Sequence, residues 1–323
     1  MAAHPAQAGL LLASLSPRLG HADNVQCAAV PGRSPIRARL ERVLALGERW
    51  LAERLGEPPP PEWFAQHSAF RWEAPDGRGR LRPVSPAAFD LDELVGVERP
   101  LSELLRNTEQ FLRALPAQHV LLYGERGTGK SSAVRGLLTR FAPRGLRVVE
   151  VRKTDLLELP CILDALRGAP YRFLLFCDDL SFDEGEPGLR ELKATLDGGL
   201  EPPPENVRIL ATSNRRHLIP ERNSDNRAVH LDEDGELQLG EALEEKLSLS
   251  DRFGLVLGFF GFDQATYLEI VAKHVERAGV RMDEEQVRLA ALRWAQGRAS
   301  RSGRTARQFV DDLAGRLALE GGR

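Results

Sequence analysis

The sequence predicts an α/β protein of three layers, with a mostly parallel five-stranded sheet between helices. An all-helical subdomain follows it, and a mainly helical N-terminal region precedes it. Three observations predict this. After Asp92 short apolar runs alternate with longer amphipathic ones, the pattern of strands joined by crossover helices. From Asp263 the strand-like runs cease and only helical spacing continues. A chain of 323 residues, at roughly 150 per domain, gives about two domains with cores large enough to need no disulfide or metal.

Residues 1–35 mix Ala, Pro, Gly and Ser without period and read as a loose tail. Residues 36–88 read as a helical docking region. In it Leu40, Val43, Leu44, Leu51 and Leu55 recur at helical spacing from Ile36 to Leu55, and Gly56 and the prolines from Pro58 to Pro61 end the helix. Trp63, Phe64, Phe70 and Trp72 then crowd together, as aromatics do in a small core that docks one region on another. The α/β domain is expected over 89–262. Its strands fall at His119–Tyr123, Leu146–Val151, Arg172–Cys177, Val207–Thr212 and Leu255–Phe260. Its helices fall at Ser131–Phe141, where Val134, Leu137, Leu138 and Phe141 share a face, and around Cys161–Leu166 and Leu189–Leu196. In the helical lid, 263–323, Asp283 with Gln286 three residues on has the form of a capping box. Val287, Ala290, Ala291 and Trp294 supply the buried stripe there, and the last helix runs from about Thr305 through Phe309, Val310, Leu313 and Leu317.

Composition narrows the function classes. The net charge of −3 gives no global basic field to recruit nucleic acid or anionic lipid. Cys27, Cys161 and Cys177 are too few and too far apart for a disulfide framework or a zinc site, and read as reduced thiols. No apolar run reaches the ~18 residues that span a bilayer. The stretch Gly9–Leu15 has no Lys or Arg before it, as a secretory signal requires. A cytoplasmic protein without membrane contact is expected.

Only five of the 44 basic residues are lysine, so a lysine inside a motif is informative. One is Lys130, in Gly124-Glu125-Arg126-Gly127-Thr128-Gly129-Lys130-Ser131, which fits G-x-x-x-x-G-K-[ST] between a strand and a helix. The glycines let the backbone curl so that successive N–H groups and the helix N-terminus face phosphates, with Ser132 next in line. In such loops the lysine bridges the β- and γ-phosphates and the serine ligates Mg²⁺. The apolar strand Phe173–Cys177 ends in Asp178-Asp179. In P-loop NTPases the first such acid holds Mg²⁺ and an acidic neighbour polarises the attacking water. Asp178 takes the first role and Asp179 the second. ATP or ADP, with Mg²⁺, is the ligand expected.

Over about Phe89–Leu319 the chain resembles the AAA+ ATPases. Leu94-Val95-Gly96-Val97 looks like the family segment that packs on the adenine, which places Val95 there. Val207–Thr212 ends in Ser213-Asn214, similar to sensor 1, whose asparagine positions the lytic water. Leu249-Ser-Asp-Arg252-Phe253-Gly254 resembles the arginine-finger box, which implies that Arg252 reaches the γ-phosphate of a neighbouring subunit. Ser302-Gly-Arg304-Thr-Ala-Arg307 looks like sensor 2 in the lid, with Arg307 the better match and Arg304 the second. Positive charge in a first helical turn opposes the helix dipole, which suggests an external anion there. The strings GERGTGKS, DDLSF, ATSNRRH, SLSDRFGL and SGRTARQF are similar to those of an uncharacterised bacterial AAA+ family.

The resemblance implies an ATPase that assembles as a homo-oligomeric ring or partial ring and converts nucleotide state into motion of a protein or nucleic-acid client. The family pair is Asp-Glu, however, and Asp179 is one methylene shorter. That implies slow hydrolysis, or a substitute in Glu184 or Glu186. A nucleotide-dependent switch or loader with little hydrolysis is the alternative. A P-loop kinase acting on a small molecule is a third reading, disfavoured by the sensor-like and finger-like elements. Between Asp179 and Arg190 only Phe182 offers an aromatic for a pore loop, which weighs against an unfoldase. The segment Arg215–Glu245 is basic and then acidic, and reads as a solvated loop or a contact surface between subunits.

Overall fold

A computed structural model describes residues 39, 40, 42–44, 46, 47, 61–74, 79–182, 186–198, 202–214, 230, 231, 237, 238 and 249–321. The expected tail lies outside them, as does Glu184. Of the expected helix from Ile36 to Leu55, residues 39, 40, 42–44, 46 and 47 are described, and they are helical. The chain divides into two compact units, Met1–Leu51 and Ala52–Arg323. All elements named below belong to the second.

In chain order these are α1 (Pro61–Gln66), β1 (Ala69–Glu73), β2 (Arg80–Val84), α2 (Glu98–Leu112), β3 (Val120–Gly124), α3 (Lys130–Phe141) and β4 (Leu146–Glu150). Then come α4 (Leu159–Leu166), β5 (Arg172–Cys177), α5 (Pro187–Asp197), β6 (Val207–Ser213) and the short pair β7 (His230–Leu231) and β8 (Leu237–Gln238). β9 (Leu255–Phe259), α6 (Gln264–Arg277), α7 (Glu284–Gly297) and α8 (Gly303–Gly321) complete the unit. Within the segment Arg215–Glu245 only β7 and β8 are described, and they pair antiparallel.

The main sheet has seven strands in the order β2-β1-β4-β5-β6-β3-β9. Every neighbouring pair is parallel except β1 with β2. The five expected strands are all present, each within one residue of its expected end. Two helical layers bury the sheet on both sides, so the strands read as continuous apolar runs whose alternate residues enter different cores. Phe173, Leu175 and Ile209 join one cluster with Ile162 of α4 and Leu189 and Leu192 of α5. Leu174 and Leu210 join another with Leu104 and Phe111 of α2 and Val134 and Leu137 of α3. Phe182 is buried in the first cluster.

The N-terminal region departs from the helical expectation: β1 and β2 pair antiparallel as a hairpin and add two strands to the sheet. The reason is local. Phe70 and Trp72 alternate with Arg71, a period of two that faces both aromatics to one core, and Leu81 stands opposite Trp72 in register. Arg71 pairs with Glu150 of β4 at 2.8 Å, and Arg82 with Glu73 at 2.7 Å. Pro83 sits in the edge strand, where a missing N–H costs no ladder bond.

After β9 the helices α6, α7 and α8 enclose their own cluster around Tyr267, Ile270, Ala291, Phe309 and Val310. Asp263 caps α6 by accepting from the Thr266 N–H, and Asp283 caps α7 by accepting from the Gln286 N–H. Val95, from the loop before α2, is buried in this cluster and ties it to the sheet. Among the described residues no helix is long and apolar enough to cross a membrane.

Candidate functional site

The site lies at the carboxyl ends of the central strands, where open parallel sheets bind ligands. β3 ends in Gly124, and the loop to α3 turns through positive φ at Gly124, Gly127 and Gly129, the last capping α3. Only glycine fits at Gly124, because a Cβ there would lie 2.0 Å from the Phe259 carbonyl oxygen. Lys130 opens α3 and is buried. Its Nζ donates to the carbonyls of Gly124 and Glu125, each at 2.7 Å, and reaches Asn214 Oδ1 at 3.5 Å. Burial draws its pKa below the usual lysine range, while Asp179 and Asp178 pull the other way. Thr128 is buried and donates to the Glu125 carbonyl at 2.9 Å, so the loop is braced from within.

Asp178 and Asp179 follow β5 directly. Ser131 Oγ donates to Asp178 Oδ1 at 2.8 Å, and Thr212 Oγ1 donates to the same oxygen at 2.6 Å. Asp179 takes a left-handed φ of 52°, which costs a non-glycine residue on the order of 1–2 kcal/mol. Its N–H donates to Thr212 Oγ1 at 2.8 Å, and the Leu180 N–H donates to the Thr212 carbonyl at 2.8 Å. Asn214 Nδ2 donates to Asp179 Oδ1. Lys130, Ser131, Asp178, Asp179 and Asn214 are thus brought together from three strand ends. Cys177, buried at the end of β5, has its thiol pushed up to about 12 by burial and by Asp178, and stays inert there.

The paired hydroxyl and carboxylate of Ser131 and Asp178 are hard oxygen donors and fit Mg²⁺. That ion keeps several waters and binds through one or two protein oxygens plus phosphates. Among the described residues there is no group of three or more His, Cys, Asp and Glu side chains arranged to hold a metal.

A cavity of about 630 Å³ extends from the loop to the helical bundle. Its floor includes Gly127, Thr128, Gly129, Lys130, Ser131 and Ser132. Val95 and Leu94 line one wall, and Ile270, His274, Arg304 and Arg307 line the other. The bundle touches the loop itself: the Gly303 N–H donates to the Gly127 carbonyl at 2.9 Å. A Cβ on Gly127 would meet Ser302 Oγ at 2.8 Å. Arg304 is close enough for its charge to oppose that of Lys130, as does Arg126. Arg307 Nε lies 3.7 Å from Asp311 Oδ2.

Of the expected site residues, Gly124, Asp178, Asp179 and Asn214 belong to the cluster at the strand ends and are not among those lining this cavity, and neither are Glu125, Arg126 and Arg252. Glu125 contributes its carbonyl only, its carboxylate lying over Gly261 beside a separate polar pocket of about 320 Å³. Arg126 is exposed and does not line the cavity. Arg252 pairs with Asp197 of α5 at 2.5 Å and lines neither pocket. Glu186 pairs with Lys153 at 2.9 Å at the start of α5.

Sequence reasoning missed Thr212, and with it Ile270, His274 and Arg277. A signal existed for each. Thr212 and Asn214 are two residues apart in and just beyond β6, hence on one face. Ile270, His274 and Arg277 follow each other at helical spacing on α6, and all line the cavity. Arg277 pairs with Glu93, and Lys273 Nζ donates to the Asp92 carbonyl at 3.3 Å, fastening α6 to the loop that carries Val95.

A family model described as "Protein of unknown function (DUF815)" matches residues 65–317. No curated protein matches the chain. Among solved structures, a single-residue variant of RuvB from Thermotoga maritima is 16% identical at a TM-score of 0.50, covering 72% of this chain and 66% of that one. A second variant is 17% identical at a TM-score of 0.50, covering 74% and 68%. The chain spans just under two thirds of the first of these. At such identity the likeness is one of fold alone.

Proposed function

The chain belongs to the family described as a protein of unknown function (DUF815), and from that premise we propose that it is a Mg²⁺-dependent ATPase of the AAA+ type. ATP would lie between the strand ends and the α6–α8 bundle, and its hydrolysis would move a bound partner. The observation that carries this reading is the meeting of Lys130, Ser131, Asp178, Asp179 and Asn214 around one phosphate-binding loop.

Phosphates would be met by the loop N–H groups and the N-terminus of α3. Lys130 would exchange its bonds to the Gly124 and Glu125 carbonyls for phosphate oxygens. Ser131 and Asp178 would hold Mg²⁺, which when bound neutralises charge on the β- and γ-phosphates. Asp179 would polarise water, with Asn214 orienting it through the bond the two already share. Val95 and Leu94 would pack on the base. Arg304 and Arg307 would bring phosphate contacts from the bundle, so the Gly303–Gly127 bond makes loop and bundle respond together. In this reading 89–262 and 263–323 are the two moving bodies. Arg252 would serve the site of a neighbouring subunit in a ring or partial ring, within a cytoplasmic homo-oligomer. The client would be a protein or a nucleic acid.

Phosphate release from ATP by the purified protein tests the reading. Lys130→Ala should weaken nucleotide binding and lower turnover by about 10²–10³-fold. Asp179→Asn should keep binding and lose turnover. Partners retained by Asp179→Asn with ATP and lost from Lys130→Ala would identify the client; identical sets would show that nucleotide does not control binding.

A second reading, a switch or loader with little hydrolysis, is favoured by the shortness of Asp179 and by its engagement with Asn214. Tight ATP binding with negligible turnover, unchanged by Asp179→Asn, would select it.

A further inference from the structure

We propose that Thr212 is the positioning residue of this site, setting through one hydroxyl both acids that follow β5. The inference rests on the proposed nucleotide site and assigns a role to a residue that the motif reading left without one.

Thr212 is 1% exposed, so its hydroxyl must find partners within the protein. It finds two that serve different ends. It donates to Asp178 Oδ1 at 2.6 Å, and it accepts from the Asp179 N–H at 2.8 Å. The backbone of the same residue accepts from the Leu180 N–H at 2.8 Å. Three bonds therefore clamp the turn Asp178–Leu180 onto the end of β6.

The first bond fixes one oxygen of Asp178 whichever way the Ser131 hydroxyl turns, so the carboxylate stays aimed when Ser131 offers its oxygen to a cation. The second holds Asp179 in the left-handed conformation that brings its carboxylate to Asn214. Such supporting hydrogen bonds orient ligands and tune the sites they support. Valine at this position would keep the shape and lose both bonds, while serine would keep both.

The test compares wild type, Thr212→Val and Thr212→Ser, each checked for cooperative melting. A fluorescent ATP analogue is titrated in excess chelator and then with increasing Mg²⁺, and ATP turnover is measured alongside. In chelator, all three should bind within about twofold of one another. The Mg²⁺ needed for half-maximal enhancement of binding should rise about 10- to 100-fold in Thr212→Val. Its kcat should fall comparably, with KM for ATP little changed. Thr212→Ser should stay within about threefold of wild type throughout. Identical Mg²⁺ titrations for wild type and Thr212→Val would overturn the proposal, as would a serine variant as impaired as the valine one. Should Thr212→Val fail to fold, Thr212→Cys, with a weak donor of similar size, should show an intermediate shift, and its absence would overturn the proposal. A wild-type protein that binds nucleotide without turning it over would sink the hydrolysis reading alone, since the Mg²⁺ titration still decides for Thr212. One that binds no nucleotide would sink both.

Discussion

His119, just before β3, accepts a hydrogen bond at Nδ1 from the Ile209 N–H at 2.9 Å, which a protonated ring nitrogen cannot do. Burial, with Arg208 nearby, pushes its pKa down to about 4 from an ordinary 6.5. Between those values the unfolded chain binds a proton that the folded chain refuses, so stability rises with pH there. The contribution is present above about 6.5, is lost as pH falls toward 4, and is on the order of 3 kcal/mol. Melting midpoints across that window should therefore fall with acidity. His119→Asn, which keeps an acceptor and does not titrate, should flatten the slope; an unchanged slope would reject the assignment. His119 was legible only as a strand residue, because its role depends on a backbone amide 90 residues away. Lys130 was the opposite case: one of five lysines, inside a spaced motif, it could be placed from the sequence. Thr212 lies between: its two-residue spacing from Asn214 puts it on the site's face of β6, but its role shows only in its burial and its bonds to the two acids.

Among elements, α3 opens at the loop and carries a glycine in its interior. Gly136 lies in the helix interior, where glycine costs roughly 1 kcal/mol relative to alanine. It is there for close approach: a Cβ would fall 2.2 Å from Leu91 Cδ2, and Leu91 is 4% exposed, with little space to retreat into. Overpacking costs about 1–3 kcal/mol, so the clash outweighs the gain in helix propensity. Gly136→Ala should thus lower the melting midpoint by a few degrees, roughly 2–4 °C per kcal/mol at this size. Gly315→Ala in α8, with nothing within 4 Å, should raise it slightly. Differential scanning calorimetry of the two variants decides, and a stabilised Gly136→Ala would refute the packing argument. The crossover helices were legible because each has an apolar face at helical spacing. The contact of α8 with the loop was not, since the backbone bond from Gly303 to Gly127 leaves no trace in residue type.

For the whole molecule, the alternation of strands and helices after Asp92 was enough to place the five central strands, whereas the hairpin β1–β2 lies before that alternation begins and its pattern spans only a few residues. Yet the hairpin is part of the core. Phe64 meets Phe173 edge-on with centroids 4.9 Å apart, and Phe70 and Trp72 lie in the same cluster. The Phe64 carbonyl accepts from Arg147 Nε at 2.6 Å, and Arg147 is 7% exposed. Removing one large buried aromatic costs about 3–5 kcal/mol, against a total stability of about 5–15 kcal/mol. A chain shortened to residues 89–323 would lose several such side chains and leave Arg147 short of a partner. It would also expose the edge of β4, a template for pairing with other chains. It should therefore aggregate or melt without cooperativity, while a chain of residues 52–323 should melt cooperatively and bind nucleotide as the full chain does. Size-exclusion chromatography with circular dichroism distinguishes the outcomes. A monomeric, cooperatively folding 89–323 chain would reduce the hairpin to an accessory on a sheet complete without it.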